Sequence, residues 1–112
     1  MIDIAVDDEG TDISIVAPTG RLNMVSARQL TTVITEVIDG GRPFVIVDLG
    51  ATDFMDSSGL GALVSALKRA RQAGGDLRLA RPNAQVQAVL ELTNLNRVLT
   101  VHESTQGVFR DR

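Results

Sequence analysis

Apolar and polar residues alternate with period two over Ile2-Asp3-Ile4-Ala5-Val6, and again over Ile13-Ser14-Ile15-Val16-Ala17. That is the pattern of half-buried strands. Asp7-Asp8-Glu9-Gly10 separates the two with turn residues, which predicts an antiparallel hairpin, and Pro18-Thr19-Gly20 ends it. The period then lengthens. Leu30, Val33, Ile34, Val37 and Ile38 recur at three and four residues, the apolar stripe of a first helix. Ser26-x-x-Gln29 has the form of a capping box at its start, and Gly40-Gly41 followed by Pro43 closes it. Phe44-Val45-Ile46-Val47 is apolar without alternation, so the strand it predicts needs cover on both faces.

A second helical stripe follows in Leu60, Leu63, Val64, Leu67 and Ala70, with Lys68, Arg69, Arg71 and Gln72 on its outer side and last turns. Positive charge there suits the C-terminal end of the helix dipole. Gly74-Gly75 caps it, and Leu77-Arg78-Leu79-Ala80 predicts a short strand. Pro82-Asn83 introduces a third helix carrying Val86, Val89 and Leu90, with Asn94 as a left-handed cap. Val98-Leu99-Thr100-Val101 predicts a last strand, after which Ser104 caps a turn that lays Val108 and Phe109 on the body. The order is β-β-α-β-α-β-α-β. It implies an α/β fold: a mixed, mostly parallel sheet of about five strands with helices packed on it and an N-terminal β-hairpin.

Composition narrows the function. The chain of 112 residues is read as one domain, 1–112, with three Phe and no Tyr or Trp to stack on bases or a flavin. A net charge of -3 without a Lys/Arg run argues against nucleic acid. There is no Cys, so no disulfide and no thiolate metal site. No apolar run reaches the length of a membrane span, and Met1-Ile2-Asp3 does not start a signal peptide. A cytoplasmic location without membrane partners is expected.

Candidate chemistry gathers between the central strand and the second helix, in Asp53-Phe54-Met55-Asp56-Ser57-Ser58-Gly59-Leu60-Gly61. Gly59-Leu60-Gly61 lacks the Lys-Ser/Thr of a phosphate-gripping loop and the third Gly of a dinucleotide fingerprint. Ser57 has Gly59 after it but Met55 before it, half of a hydrolase elbow, and the sole histidine, His102, is distant in sequence. Asp53 and Asp56 offer two carboxylates without a third metal ligand. No cofactor and no metal is expected. The residues leave two readings open. One is an ordinary capped helix start, with glycines for tight packing. The other is a recognition surface whose exposed hydroxyls accept phosphate.

Phe54-Met55-Asp56-Ser57-Ser58-Gly59-Leu60-Gly61, preceded by Val47-Asp48-Leu49, resembles the signature of STAS-domain anti-sigma factor antagonists. Gly20-Arg21-Leu22-Asn23, Gly75-Asp76-Leu77-Arg78-Leu79 and Leu92-Thr93-Asn94-Leu95 add weaker marks, over roughly residues 2 to 104. The resemblance implies a STAS fold and a regulatory protein rather than an enzyme. It implies phosphorylation of Ser58 by a partner that is both anti-sigma factor and serine kinase, and a serine phosphatase that resets it. The unphosphorylated form would bind the partner and free the sigma factor. Asp56, Ser57, Gly59, Leu60 and Gly61 would surround the acceptor, with Asn23 standing where the family often has Asp. The alternative is a STAS module of another signalling or lipid-transport assembly, without phosphorylation.

Overall fold

The computed structural model describes residues 2–111. Its elements are β1 (Ile4–Asp8), β2 (Ile13–Pro18), β3 (Gly20–Leu22), α1 (Met24–Asp39), β4 (Phe44–Asp48), β5 (Thr52–Met55), α2 (Ser57–Gln72), β6 (Asp76–Ala80), α3 (Ala84–Leu92), a 3-10 turn (Leu95–Arg97) and β7 (Val101–His102). Five strands form one sheet in the order β1-β2-β4-β6-β7, while β3 and β5 pair separately. The hairpin β1–β2 is antiparallel, and β2–β4, β4–β6 and β6–β7 are parallel. The expected mixed, mostly parallel sheet with a leading hairpin is therefore present.

The central strand has the double cover that its composition demands. Val45 and Val47 point to the helices and join Leu30, Ile34, Leu63, Leu67, Val86 and Leu90 in the main core. Ile46 points the other way, into a second cluster with Ala80, Val108 and Phe109, against which Ile13, Ile15 and Phe44 pack. The C-terminal segment is thus a strap across the back of the sheet. Phe44 and Phe109 meet edge to face at 5.4 Å. Arg78 holds the strap by donating to the Val108 carbonyl oxygen and to Asp111, each at 2.7 Å, with its guanidinium 4.8 Å from the Phe109 ring. Each fully buried aliphatic side chain contributes roughly 1.5–3 kcal/mol, so α1 and α2 are held by packing more than by propensity.

Three boundaries and the inward face of one strand differ from the sequence expectation. The first strand continues through Asp7 and Asp8, because their backbones pair with Ile15 and Ser14 whatever their charge. The helix-facing side of β2 is Ser14, Val16 and Pro18, while Ile13 and Ile15 lie on the strap side. The first helix begins at Met24, not after Ser26, since Asn23 supplies an earlier cap and Ser26 serves as the third residue of its capping box. Gln29, freed from that duty, acts as a peptide surrogate for Ile2, accepting from its N–H at 3.2 Å and donating to its carbonyl oxygen at 2.6 Å. The last strand is only Val101–His102, because Leu95–Arg97 coils into a 3-10 turn after left-handed Asn94.

Candidate functional site

The small sheet builds the site. β3 and β5 run parallel with Leu22 opposite Met55, and the Arg21 guanidinium stacks over the Phe54 ring at 4.2 Å. Strand β5 falls in the stretch between the central strand and the second helix, where the sequence predicts no strand. It is held on its free edge by α3: Gln85 accepts from the Met55 N–H at 3.1 Å and donates to the Met55 carbonyl oxygen at 3.2 Å. Asn83 donates to the Thr52 and Asp53 carbonyl oxygens at 3.3 and 3.2 Å. Behind it, the turn after β4 is pinned by Arg81, which reaches both Asp48 carboxylate oxygens at 2.9 and 2.8 Å. Burial pushes the Asp48 carboxyl up, but the bonds from Arg81 and the Gly50 N–H, with the Arg81 charge, outweigh it and hold the group below the usual carboxylate range.

Because the paired strands end together, two helices start side by side. Asn23 caps α1 and Asp56 caps α2 in nearly the same extended conformation, φ -102° and -106°. Asn23 Oδ1 accepts from the Val25 and Ser26 N–H groups at 3.1 and 3.2 Å. Asp56 Oδ1 accepts from the Ser58 and Gly59 N–H groups at 2.9 and 3.2 Å. Asp56 N donates to the Leu22 carbonyl oxygen at 3.3 Å and ties one start to the other. Asn23 and Asp56 thus occupy matching places, one neutral and one charged.

The serines differ. Ser57 is exposed, whereas Ser58 is half-buried and lines a groove of about 530 Å³ between α1 and α2. Neither hydroxyl has a hydrogen-bond partner among the described residues, in contrast to Ser26 Oγ, which donates to the Arg21 carbonyl oxygen. The groove is lined on one side by Met24, Ala27, Arg28, Thr31 and Thr32, and on the other by Ser58, Gly61, Ala62 and Ser65. Both sets follow the i, i+3, i+4, i+7 spacing of a single helix face. On α2 the members are all small, Ser58, Gly61, Ala62 and Ser65, a pattern visible in the sequence beside the apolar stripe. Met24, 63% exposed, lines the groove, and the equally exposed Val25 lies beside it around an adjoining hollow shared with Arg28.

The two glycines separate as well. Gly59 is buried, and a Cβ there would lie 2.8 Å from Met55 Cγ and 2.9 Å from the Leu22 carbonyl oxygen, so α2 can sit on the small sheet only with glycine. Leu60 is also core, at 5% exposure. Gly61 is exposed, and a Cβ there meets nothing within 4 Å. Glycine in a helix costs up to about 1 kcal/mol relative to Ala, and no packing contact requires it here. Gly61→Ala is therefore expected to raise the melting midpoint by a few degrees in a thermal scan. His102 lies on β7, an edge strand of the other sheet, and offers neither serine a base. Among the described residues no group of three or more His, Asp or Glu side chains is placed to hold a metal ion. No helix there is long and apolar enough to cross a membrane.

Comparison with known proteins agrees with this geometry. The family model described as the STAS domain matches residues 5–108. A Thermotoga maritima protein named "Putative anti-sigma factor antagonist" is 32% identical over 94 residues, 83% of either chain. A crystal structure of such a protein from Thermotoga maritima superposes with a TM-score of 0.83 at 26% identity, covering 97% of this chain and 92% of that one. The anti-sigma factor antagonist SpoIIAA shares the fold in its unphosphorylated form, with a TM-score of 0.78 at 20% identity over 93% of this chain and 90% of that one. The phosphorylated form of SpoIIAA, from Bacillus, gives 0.75 at 19% identity over 98% of this chain and 100% of that one. The chain belongs to the STAS domain family, among relatives that are anti-sigma factor antagonists.

Proposed function

We propose that this chain is a cytoplasmic, phosphorylation-controlled anti-sigma factor antagonist. Its unphosphorylated form binds an anti-sigma factor that is also an ATP-dependent serine kinase, and so frees the sigma factor. Phosphate on Ser58 ends that binding, and a serine phosphatase restores it. The observation that carries this reading is the Ser58 hydroxyl, unengaged and facing a groove beside exposed Met24 and Val25. Those two residues offer a partner an apolar landing, and Met adapts its shape to what it meets. Ser57 and Asn23 lie on the same exposed side, while buried Gly59 and Leu60 support the surface from below.

In the transfer, Ser58 Oγ attacks the γ-phosphorus of ATP. The new O–P bond replaces the bond to the bridging oxygen, ADP leaves, and the hydroxyl proton goes to a base supplied by the kinase. The protein is the substrate in that step and does no chemistry of its own. Phosphoserine adds about -1.5 to -2 charges at pH 7, next to a helix N-terminus that tolerates them. The fold likeness to SpoIIAA in both of its forms fits a switch that leaves the architecture intact.

The test is incubation with the anti-sigma kinase and ATP, read by intact mass and peptide mapping. One phosphate on Ser58, absent from Ser58→Ala, is expected; an unmodified protein would favour the non-phosphorylated STAS module instead. Gly61→Ala adds a second check. Its extra methyl projects into the open groove where a partner would approach, so partner affinity is expected to fall about tenfold although the fold is more stable.

A further inference from the structure

We propose that Arg28 is the built-in counter-ion of a phosphate on Ser58, so that modification closes the groove from within. The inference rests on Ser58 as the modified residue and concerns what the phosphate then touches. Arg28 is the one ionisable side chain among those lining the groove, and it has no ion-pair partner among the described residues. By contrast, Arg42, Arg69, Arg71, Arg78 and Arg81 each pair with an aspartate; Arg21, Arg97 and Arg110 do not among the described residues, but none of those three lines the groove. Arg28 is exposed at the edge of the groove, free to meet an anion there, and its planar fork matches phosphate oxygens two at a time.

The register brings the two groups together. Asn23 and Asp56 stand level, because the residues before them, Leu22 and Met55, are paired across β3 and β5. Ser58 is two residues past its cap and Arg28 five residues past its own. At about 1.5 Å of rise per residue, Arg28 is set roughly 4.5 Å further along the groove. Helical side chains lean toward the helix N-terminus, and the Arg28 side chain, far longer than that of Ser58, is long enough to span that offset. Ala27, Gly61 and Ala62 keep the space between the helices clear. The nearby Asp56 carboxylate is already engaged by the Ser58 and Gly59 N–H groups, and its repulsion of a phosphate is what a cation opposite would offset.

Phosphorylation would then do two things at once. It would fill the mouth of the groove, and it would withdraw the Arg28 charge from any carboxylate a partner brings there.

The experiment uses the full chain with phosphoserine installed at position 58 during translation, independent of any kinase, and follows the phosphate by ³¹P NMR across pH. A phosphoserine ordinarily takes its second charge near pH 6. With Arg28 beside it the midpoint is expected at least about half a unit lower than in Arg28→Gln, a roughly threefold difference in proton affinity. Arg28→Lys is expected to fall between, keeping the charge and losing the fork, and added salt should narrow the gaps. Far-UV circular dichroism confirms that each variant is folded. Superimposable titrations of the parent and Arg28→Gln would overturn the proposal. Should the kinase leave Ser58 unmodified while the titrations separate as expected, the natural acceptor has been misassigned but the pairing stands.

Discussion

Ser58→Asp is expected to bind the anti-sigma partner at least tenfold more weakly than the parent chain, while its melting midpoint stays within a few degrees. The two halves of that result have different causes. Within the fold, the new carboxylate sits in the first turn of α2, where the helix dipole favours negative charge by roughly 0.3–1 kcal/mol. Only its neighbour Asp56 opposes it, so stability hardly changes. At an interface the same charge is taken out of water. Burying an unpaired ion costs several kcal/mol, and about 2.8 kcal/mol is a hundredfold in affinity. One charge on a short side chain realises part of what a phosphate does, hence the tenfold floor. Calorimetric titration against the partner, with a thermal scan of each variant alone, measures both. Ser58→Ala should bind as the parent does. A Ser58→Asp variant that binds normally, or that unfolds, would contradict the interface mechanism.

Gly75→Ala is expected to cost about 3 kcal/mol or more, lowering the melting midpoint by roughly 12 °C or more for a domain of this size. Gly75 lies where α2 hands over to β6, its N–H donating to the Ala70 carbonyl oxygen at 2.8 Å. A Cβ there falls well under 3.0 Å from the Pro43 carbonyl oxygen, with Pro43 C and Cβ also too close. None of these atoms can swing aside. The Pro43 oxygen already accepts from Asp76 N at 3.1 Å, and Phe44 pairs with Asp76 in the middle of the sheet. Relief therefore means shifting β6 against β4. Gly50→Ala is the comparison: the atoms nearest its Cβ belong to the Arg81 guanidinium, the far end of an exposed side chain that can yield at the expense of its bonds to Asp48, and the loss there should be smaller. Urea unfolding of the two variants compares them directly, and a Gly75→Ala loss under about 1 kcal/mol would show the sheet to be more compliant than its register implies.

The large elements were legible because each carries a strong periodic pattern. The stripe from Leu30 to Ile38, the stripe from Leu60 to Ala70 and the uninterrupted Phe44–Val47 predict α1, α2 and a doubly covered β4. The small sheet was not legible. β3 has three residues and β5 four, too few for a period to declare itself, and much of β5's support comes from side-chain amides of Asn83 and Gln85. Missing it hid the twin helix starts, and with them the reason Asn23, not Ser26, caps α1. Within the site, sequence marked Asp56 to Gly61 as one surface. Only packing divides it: Gly59 and Leu60 look inward, Ser57, Ser58 and Gly61 look outward, and Arg28 enters from a helix whose polar face offered no local signal.

The strap that carries Val108 and Phe109 also sets how the molecule can be held. It lies on the face of the sheet opposite the three helices, clamped by Arg78 to the back of β6. An anchor attached beyond Asp111 therefore pulls from behind, and the groove between α1 and α2 is left pointing away from whatever surface the molecule is fixed to. In an immobilised binding assay, coupling at this end leaves Ser58 presented to the solution, whereas coupling through Lys68 on α2 ties down the same side as the groove.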